Sequence, residues 1–169
     1  MKKVYLLSCS ASQSRIDPNE AREARFLYFG QLFQKTYCLA KQLMKPDDDI
    51  LILSSCFMHP ILSPYDKITP YDSGDPGQWG KRRGERWAEI AATEMCIRYN
   101  CEETMFIIIC HGALTRLLLD KLKPIHQKLC IDTNSYGGKL HKLNQMINTA
   151  GGLCHSSSHC TYINNCQTK

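Results

Sequence analysis

The chain has 169 residues, of which 43% are hydrophobic and 22% charged, and its formal net charge at pH 7 is +5. This length and composition exclude a disordered or fibrous protein and fit one globular domain. No apolar run approaches the ~20 residues that cross a membrane, and the apolar patch near Met1 is too short for a signal peptide. We therefore expect a cytoplasmic protein with no membrane association. Its moderate positive charge permits an anionic partner without requiring one.

Strand and helix patterns alternate three times along the chain. Unbroken apolar runs predict buried parallel strands at residues 3–8, 50–54 and 105–110. Helical patterns are predicted at residues 21–45, 78–99, 113–122 and 139–147. Asp17 and Pro18 are typical of a helix N-terminus, as the cap and the first residue. The alternation predicts an α/β fold, with a single three-layer domain and a mainly parallel sheet over residues 1–150 and a polar tail over 151–169.

Ten cysteines are spread along the chain without a CxxC pair. We expect no export signal in this chain, and therefore no disulfide framework. In the tail, Cys154 and Cys160 enclose His155 and His159, and these residue types at this spacing could hold zinc. The serines between them favour flexible chain instead, and no second cluster completes a zinc pattern. We predict no metal and no other cofactor, and the tail stays open as a zinc candidate.

Polar residues follow each predicted strand, and in a parallel sheet these strand ends meet at the edge where ligands bind. The residues are Ser8, Cys9, Ser54, Ser55, His111 and Gly112. His111 could be a general acid, a hydrogen-bond donor to a base, or only the polar end of a strand. Cys9 could be a nucleophile, but a buried thiol at a strand end is the simpler interpretation.

The loop after the second strand ends in an aromatic residue and a carboxylate. Pro60, Pro64 and Pro70 exclude a helix or a central strand in this loop. Tyr71 and Asp72 follow, and we expect them beside the strand ends. A carboxylate next to an aromatic ring suits chemistry on a sugar or a base. The alternative is a rigid surface loop whose aspartates only cap turns.

Four basic residues crowd the start of the helix that follows this loop: Lys81, Arg82, Arg83 and Arg86. Trp79 and Trp87 are interleaved with them. This composition is typical of a contact to a nucleic-acid backbone beside rings on which bases stack. An ordinary solvated helix face is the alternative.

Five motifs occur in a characteristic order: Ser8-Cys9, residues 24–33 (ARFLYFGQLF), residues 53–55 (LSS), residues 68–72 (ITPYD) and residues 136–143 (YGGKLHKL). This succession resembles a family of small bacterial and phage α/β domains related to the YaaA-like proteins, long of unknown function, over residues 4–145. The resemblance implies a Rossmann-like domain that acts on DNA. YaaA is a DNA-binding stress protein, and a relative is an anti-phage DNA glycosylase that removes glucosylated hydroxymethylcytosine.

The residues and this resemblance together predict a DNA glycosylase-like hydrolase, which cleaves the N-glycosidic bond of a modified base in DNA, in antiviral defence or in nucleic-acid maintenance. One alternative is a YaaA-like DNA-binding protein without catalysis. The other is a glycosidase or transferase that acts on free nucleosides or nucleotides. We predict that the substrate contacts, besides the strand-end residues and Tyr71, are Asn134 and Tyr136. The basic helix start is the predicted contact to the DNA backbone.

We predict Asp72 as the catalytic carboxylate, with His111 as the donor to the leaving base. Cleavage of a base from deoxyribose passes through an oxocarbenium-like sugar, which needs a negative charge or a base that activates water. Asp66 and Asp132 are the other candidates, but Lys67 beside Asp66 favours a solvated turn. Asp72 follows a rigid proline and an aromatic ring on which a flipped base could stack. The alternative is that Asp72 caps the turn that follows it.

Overall fold

The computed structural model describes residues 1–14, 17, 19–124, 126–133 and 135–151. Its strands are β1 (Lys2–Ser8), β2 (Arg22–Glu23), β3 (Asp49–Leu53), β4 (Ile61–Leu62), β5 (Lys67–Ile68), β6 (Thr104–Cys110) and β7 (Gln127–Ile131). Its helices are α1 (Ala24–Leu27), α2 (Gln31–Leu43), α3 (Lys81–Arg98), α4 (Ala113–Leu122) and α5 (Tyr136–Gly151), with a short 3-10 turn at Pro76–Gln78.

Five strands form the central sheet, in the spatial order β4-β3-β1-β6-β7. β1 pairs in parallel with both neighbours, so that Leu6 lies opposite Leu51 of β3 and Ile108 of β6. β7 continues the parallel run beside β6, whereas β4 pairs antiparallel with β3 at the other edge. The predicted α/β fold with a mainly parallel sheet is confirmed.

The side chains of β1 alternate between two hydrophobic cores, one on each face of the sheet. Tyr5 and Leu7 belong to the core that α2 and α5 cover. Val4 and Leu6 belong to the core that α3 and α4 cover, in which Trp87 is fully buried. Because both faces are covered by helices, the strand needs apolar residues at successive positions. This arrangement explains the unbroken apolar runs in the sequence.

The predicted helix start at Asp17 is wrong. The Asn19 N–H donates to Asp17 Oδ1 at 2.8 Å, which closes a local turn, and Pro18 lies outside the described residues. β2 then pairs with β5, and only the short α1 follows it. α2 begins after Gly30, where a Cβ would lie 2.2 Å from Ser10 Oγ. A larger residue at position 30 would therefore have to displace the Ser10 side chain, where the start of α2 packs against the loop after β1.

The short and edge strands were not predicted. β2, β4 and β5 have two residues each, which is too short for a periodic pattern. β7 lies at the edge of the sheet and its first two residues are exposed, so it lacks an unbroken apolar run. α5 is longer at both ends than the predicted range of 139–147. The elements that were not predicted are therefore those whose burial produces only a weak hydrophobic pattern in the sequence.

In the part of the chain that the structure describes, no helix combines the length and the apolar character needed to cross a membrane. The Cys- and His-bearing tail, with its candidate zinc ligands, lies outside the described residues from residue 152 onward. The predicted site residue Asn134 lies outside them as well.

Candidate functional site

The structure brings the ends of β1, β3 and β6 together around one cleft of about 1000 Å³. The predicted residues that line it are Ser8, Cys9, Ser55, Tyr71, Asp72, His111, Gly112 and Tyr136. This volume is at the upper end of the range that small-molecule sites occupy. β1, β3 and β6 are parallel, so their carboxyl ends lie on the same side of the sheet. The cleft lies on this side.

Tyr71 is held in the cleft wall by a buried hydrogen-bond network. Its hydroxyl lies 2.7 Å from the Tyr28 hydroxyl and 2.8 Å from Ser54 Oγ. Its backbone N–H donates to Gln13 Oε1 at 3.0 Å. Tyr28 and Ser54 are themselves completely buried. The network therefore fixes both the ring and the backbone of Tyr71 at the start of the loop that carries Asp72.

Burial sets the ionisation of Tyr71. Desolvation, and then the neighbouring Cys9 sulfur, raise the pKa of Tyr71 to about 12. Burial raises the pKa of Tyr28 as well. Both phenols are therefore neutral at physiological pH, and each can donate one hydrogen bond. Tyr71 thus serves as a ring and a hydrogen-bond partner, not as an anionic base.

The raised pKa of Tyr71 predicts a loss of stability at high pH. The folded chain holds this proton more tightly than the unfolded chain, whose tyrosine pKa is about 10. The contribution is therefore complete below about pH 10 and is lost as the pH rises through about 12. We expect the free energy of unfolding to fall less steeply between these pH values in Tyr71→Phe than in the wild type, in urea titrations. Identical slopes would contradict this assignment.

Ser73 ties the loop to the strand end and to α3. Its hydroxyl donates to Ser55 Oγ at 2.6 Å. Its carbonyl oxygen accepts from Trp79 Nε1 at 3.1 Å and from Arg83 Nη2 at 2.7 Å. The residues on either side of Ser73, Asp72 and Gly74, both line the cleft. The position of Asp72 therefore depends on contacts that its neighbour makes.

Asp72 caps a turn and also faces the cleft. Its side chain is exposed, and its Oδ1 accepts the Gly74 N–H at 3.0 Å. Gly74 has a φ of +67°, which favours glycine. Among the described residues no partner is found for Asp72 Oδ2. The capping role that the sequence left open is therefore present, and one carboxylate oxygen stays available for a ligand.

The other carboxylates are distributed differently from the prediction. Asp66 and Asp132 do not line the cleft. Asp66 Oδ2 instead accepts the Ser63 N–H at 2.7 Å, which closes a turn. Asp75 does line the cleft, and sequence reasoning missed it. Its position directly before Pro76-Gly77 is typical of a cap at a helical turn, and this pattern does not indicate that the residue lines the cleft.

Two polar atoms at the strand ends are buried without a partner among the described residues: Ser8 Oγ and His111 Nδ1. Gly112 packs against the first of these, since a Cβ there would lie 2.8 Å from Ser8 Oγ. The His111 carbonyl accepts from Lys139 Nζ at 2.8 Å, and Lys139 also lines the cleft. Lys139 was not predicted, although it lies inside a motif that the sequence analysis identified.

Three helices begin at the cleft, which favours an anionic group there. Gly30 before α2, Gly112 before α4 and Tyr136 at the start of α5 all line it. In the described residues, the first turns of these helices contain no acidic side chain. Helix N-termini carry partial positive charge and unpaired N–H groups. Lys139 adds one positive charge to this edge, where the carboxylates of Asp72 and Asp75 also line the cleft.

The Cys9 thiol is a poor candidate for a nucleophile. Desolvation raises its pKa, and hydrogen bonding with Ser55 and Tyr71 offsets this only in part. Cys110 also lines the cleft, and burial raises its pKa to about 11. Both groups are therefore thiols at neutral pH, and the thiolate is the reactive form.

Among the described residues, no three His, Cys, Asp or Glu side chains come together as metal ligands.

Ser54 supports the cleft from behind. It is fully buried and is not among the residues that line the cleft. Its hydroxyl contacts Tyr71, and its carbonyl accepts from Trp87 Nε1 at 2.9 Å. Trp87 is completely buried, so its interpretation as a surface on which bases stack is wrong. The indole ring of Trp87 belongs to the core, and its hydrogen bond to Ser54 positions the end of β3.

The basic residues lie on a separate shallow depression, beside the loop that carries Asp72. We call it the basic surface, and it is lined by Phe57, Gly80, Lys81, Arg82, Arg83 and Arg86. Trp79 lies next to it, with its ring 5.4 Å from the Phe57 ring and 4.8 Å from the Arg83 guanidinium. Exposed cations beside aromatic rings are suited to a polyanion that carries bases.

Comparison with known proteins identifies a family to which the chain is similar. A family model described as a family of unknown function, DUF6884, matches residues 4–145. The chain belongs to this family. No curated protein and no solved structure matches the chain. The DUF6884 match runs from β1 into α5, and it includes the described residues of both the cleft and the basic surface.

Proposed function

We propose that the chain is a hydrolase that removes a modified base from DNA by cleaving its N-glycosidic bond, with phage DNA as the natural target. The observation that carries this proposal is the placement of Tyr71 and Asp72 side by side on a fixed loop, in a cleft that His111 also lines. A ring can stack on a flipped base, a carboxylate can stabilise the sugar cation or activate water, and an imidazole can donate to the leaving base.

Each group has a role in the proposed reaction. The available oxygen of Asp72 stabilises the oxocarbenium-like sugar or activates the attacking water. His111 donates a hydrogen bond to the leaving base. The ring of Tyr71 or of the exposed Tyr136 stacks on the base after it leaves the duplex. The helix N-termini and Lys139 receive the phosphate of the flipped nucleotide.

We also propose the finer features of the fold. The chain is a single Rossmann-like domain related to the YaaA-like proteins. The parallel order of β3, β1, β6 and β7 and the helices on both faces of the sheet support this proposal. The cleft lies where doubly wound α/β sheets bind nucleotides, beyond the carboxyl ends of the central strands.

The second candidate is a DNA-binding protein without catalysis. It is favoured by Asp72, whose carboxylate already has a structural role as the cap of Gly74. The basic surface would be sufficient for such a protein. A glycosidase or transferase for free nucleosides is the third candidate, and it is compatible with the cleft but gives the basic surface no role.

A comparison of substrates distinguishes the three candidates. The protein is incubated with DNA that contains modified bases and, separately, with the corresponding free deoxynucleosides, and the released base is quantified. The proposal predicts release from DNA and little release from free deoxynucleosides. Binding of DNA without release supports the second candidate, and efficient cleavage of free deoxynucleosides supports the third.

The basic surface predicts strongly salt-dependent DNA binding. We expect the combined change of Lys81, Arg82 and Arg86 to Ala to weaken binding, because up to three contacts to phosphates are lost. The slope of log K against log salt concentration should become shallower by about 2 to 3, since each contact contributes about 0.9. Fluorescence anisotropy with a labelled duplex, measured at several salt concentrations, gives both quantities.

A matched control removes the same charge elsewhere. Lys41, Lys45 and Lys128 are exposed and line neither the cleft nor the basic surface. Their combined change to Ala should leave most of the salt dependence in place. Equal effects of the two triple variants would mean that DNA responds to net charge alone, and would remove the basic surface from the proposal.

A further inference from the structure

Arg83 differs from the other basic residues of the basic surface in its contacts. Its Nη2 donates to the Ser73 carbonyl at 2.7 Å, and its guanidinium lies over the rings of Trp79 and Phe57. Among the described residues, no partner forms a hydrogen bond or an ion pair with the side chains of Arg82 and Arg86. The guanidinium of Arg83 is thus directed into the protein's own loop.

Trp79 donates a hydrogen bond to the same atom as Arg83, the Ser73 carbonyl oxygen. Its Nε1–H donates to the Ser73 carbonyl at 3.1 Å, so one carbonyl oxygen receives two donors from neighbouring positions of α3 and the turn before it. On its other side, Ser73 is bonded through its hydroxyl to Ser55, at the end of β3. Ser73 is therefore clamped between the sheet and the basic surface, with Asp72 directly before it.

We infer that Arg83 is a positioning residue for the loop that carries Asp72, and not a contact to the DNA backbone. It holds the Ser73 carbonyl together with Trp79, and in this way links the basic surface to the cleft. The inference deepens the proposed function and rests on it in one respect, because it takes Asp72 as the residue that acts in the cleft. The contacts that carry it do not depend on the reaction.

The stacking of Arg83 explains why a guanidinium occupies this position. A planar guanidinium can lie against the Trp79 ring at 4.8 Å while its edge donates to a carbonyl. A lysine ammonium offers a point charge without a stacking face. A residue selected for phosphate alone would not need this geometry, since lysine binds phosphate as a point charge.

The test compares three variants: Arg83→Ala, Trp79→Phe and Arg82→Ala. Trp79→Phe removes the second donor to the Ser73 carbonyl but keeps an aromatic ring and leaves the charge unchanged. Arg82→Ala removes the same charge as Arg83→Ala but leaves both donors in place. Amide hydrogen exchange at Tyr71 and Gly74, measured by NMR, reports on the loop, and anisotropy at several salt concentrations reports on contacts to DNA.

We expect Arg83→Ala and Trp79→Phe to accelerate amide exchange in the loop about 5- to 10-fold, as the loss of one hydrogen bond does, and Arg82→Ala to leave it unchanged. The slope of log K against log salt should fall by about 0.9 in Arg82→Ala only. Unchanged exchange in Arg83→Ala, or a fall in its salt slope equal to that of Arg82→Ala, would overturn the inference. If Arg83→Ala does not fold, Arg83→Met takes its place with the same expected results, because it keeps a long apolar side chain against the Trp79 and Phe57 rings but has no donor for the Ser73 carbonyl.

Base release supplies a readout that a purely structural role would not move. In Arg83→Ala we expect kcat to fall about 10-fold with KM unchanged, because Asp72 is displaced while the DNA contacts remain. A raised KM with an unchanged kcat would overturn the positioning role. If the wild type releases no base, the proposed function fails while the exchange and salt measurements still decide the role of Arg83.

Discussion

Asp72→Asn is expected to lower base release by ~100-fold or more while the protein folds normally. The substitution keeps an oxygen that can accept the Gly74 N–H, so the cap of the turn survives. It removes the negative charge that stabilises the oxocarbenium-like sugar or activates water. The measurement is the single-turnover rate of base release from modified DNA, together with the urea midpoint of each protein.

The matched control is Asp66→Asn. Asp66 is exposed and caps a turn in the same way, through the Ser63 N–H, but it does not line the cleft. Asp66→Asn therefore removes one negative charge from the protein without changing the cleft, and we expect an unchanged rate of base release. Full activity in Asp72→Asn would refute the catalytic assignment. Asp75 is then the next candidate, because it is the other aspartate that lines the cleft.

Trp87→Ala is expected to lower the free energy of unfolding by about 3 to 5 kcal/mol. Trp87 is fully buried in the core between α3 and the sheet, so its removal leaves a large cavity. Its Nε1–H also satisfies the buried Ser54 carbonyl at the end of β3, and that carbonyl would lose its partner. Urea denaturation followed by circular dichroism measures the loss.

Two further variants of α3 separate these contributions. Trp87→Phe keeps most of the apolar volume and removes the N–H, so we expect a smaller loss of about 1 to 3 kcal/mol. Ile97→Ala changes a side chain of the same helix that is 80% exposed, and we expect at most about 0.5 kcal/mol. If Trp87→Ala were as mild as Ile97→Ala, the burial of this ring would be contradicted.

The strand ends could be predicted from the sequence because a strand buried on both faces leaves an unmistakable pattern. Leu53 is the last apolar residue of β3 and Ser54 follows it, as His111 follows β6. Parallel pairing then brings such ends to one edge without further information. The residues that converge on the cleft were therefore accessible from local patterns alone.

The support of the cleft could not be predicted, because it depends on contacts between distant parts of the chain. Tyr28 is 43 positions from Tyr71, and Gln13 is 58 positions from it. A single sequence contains no signal that pairs these residues. Tyr28 directly follows the short α1, in a region where the predicted helix start at Asp17 was wrong. The residues that hold the site were thus missed for a physical reason, not by chance.

The basic helix start shows that composition and geometry carry different information. Lys81, Arg82, Arg83 and Arg86 are equivalent as a pattern of charges. The structure separates them, since Arg83 donates to the loop carbonyl. Lys81 lies 3.9 Å from Glu85, at a distance that is weak for an exposed ion pair. Only the side-chain contacts distinguish a structural cation from one that is available to a partner.

Release of a base from DNA is the central claim, and one measurement tests it most directly. Phage DNAs that carry different cytosine modifications are incubated with the wild-type protein and with Asp72→Asn. Free base is quantified by mass spectrometry and abasic sites with an aldehyde-reactive probe. We predict that the wild type produces free base and abasic sites in equal amounts from at least one modified DNA, and that Asp72→Asn produces almost none. DNA that is bound by the wild type but yields neither product would contradict the account.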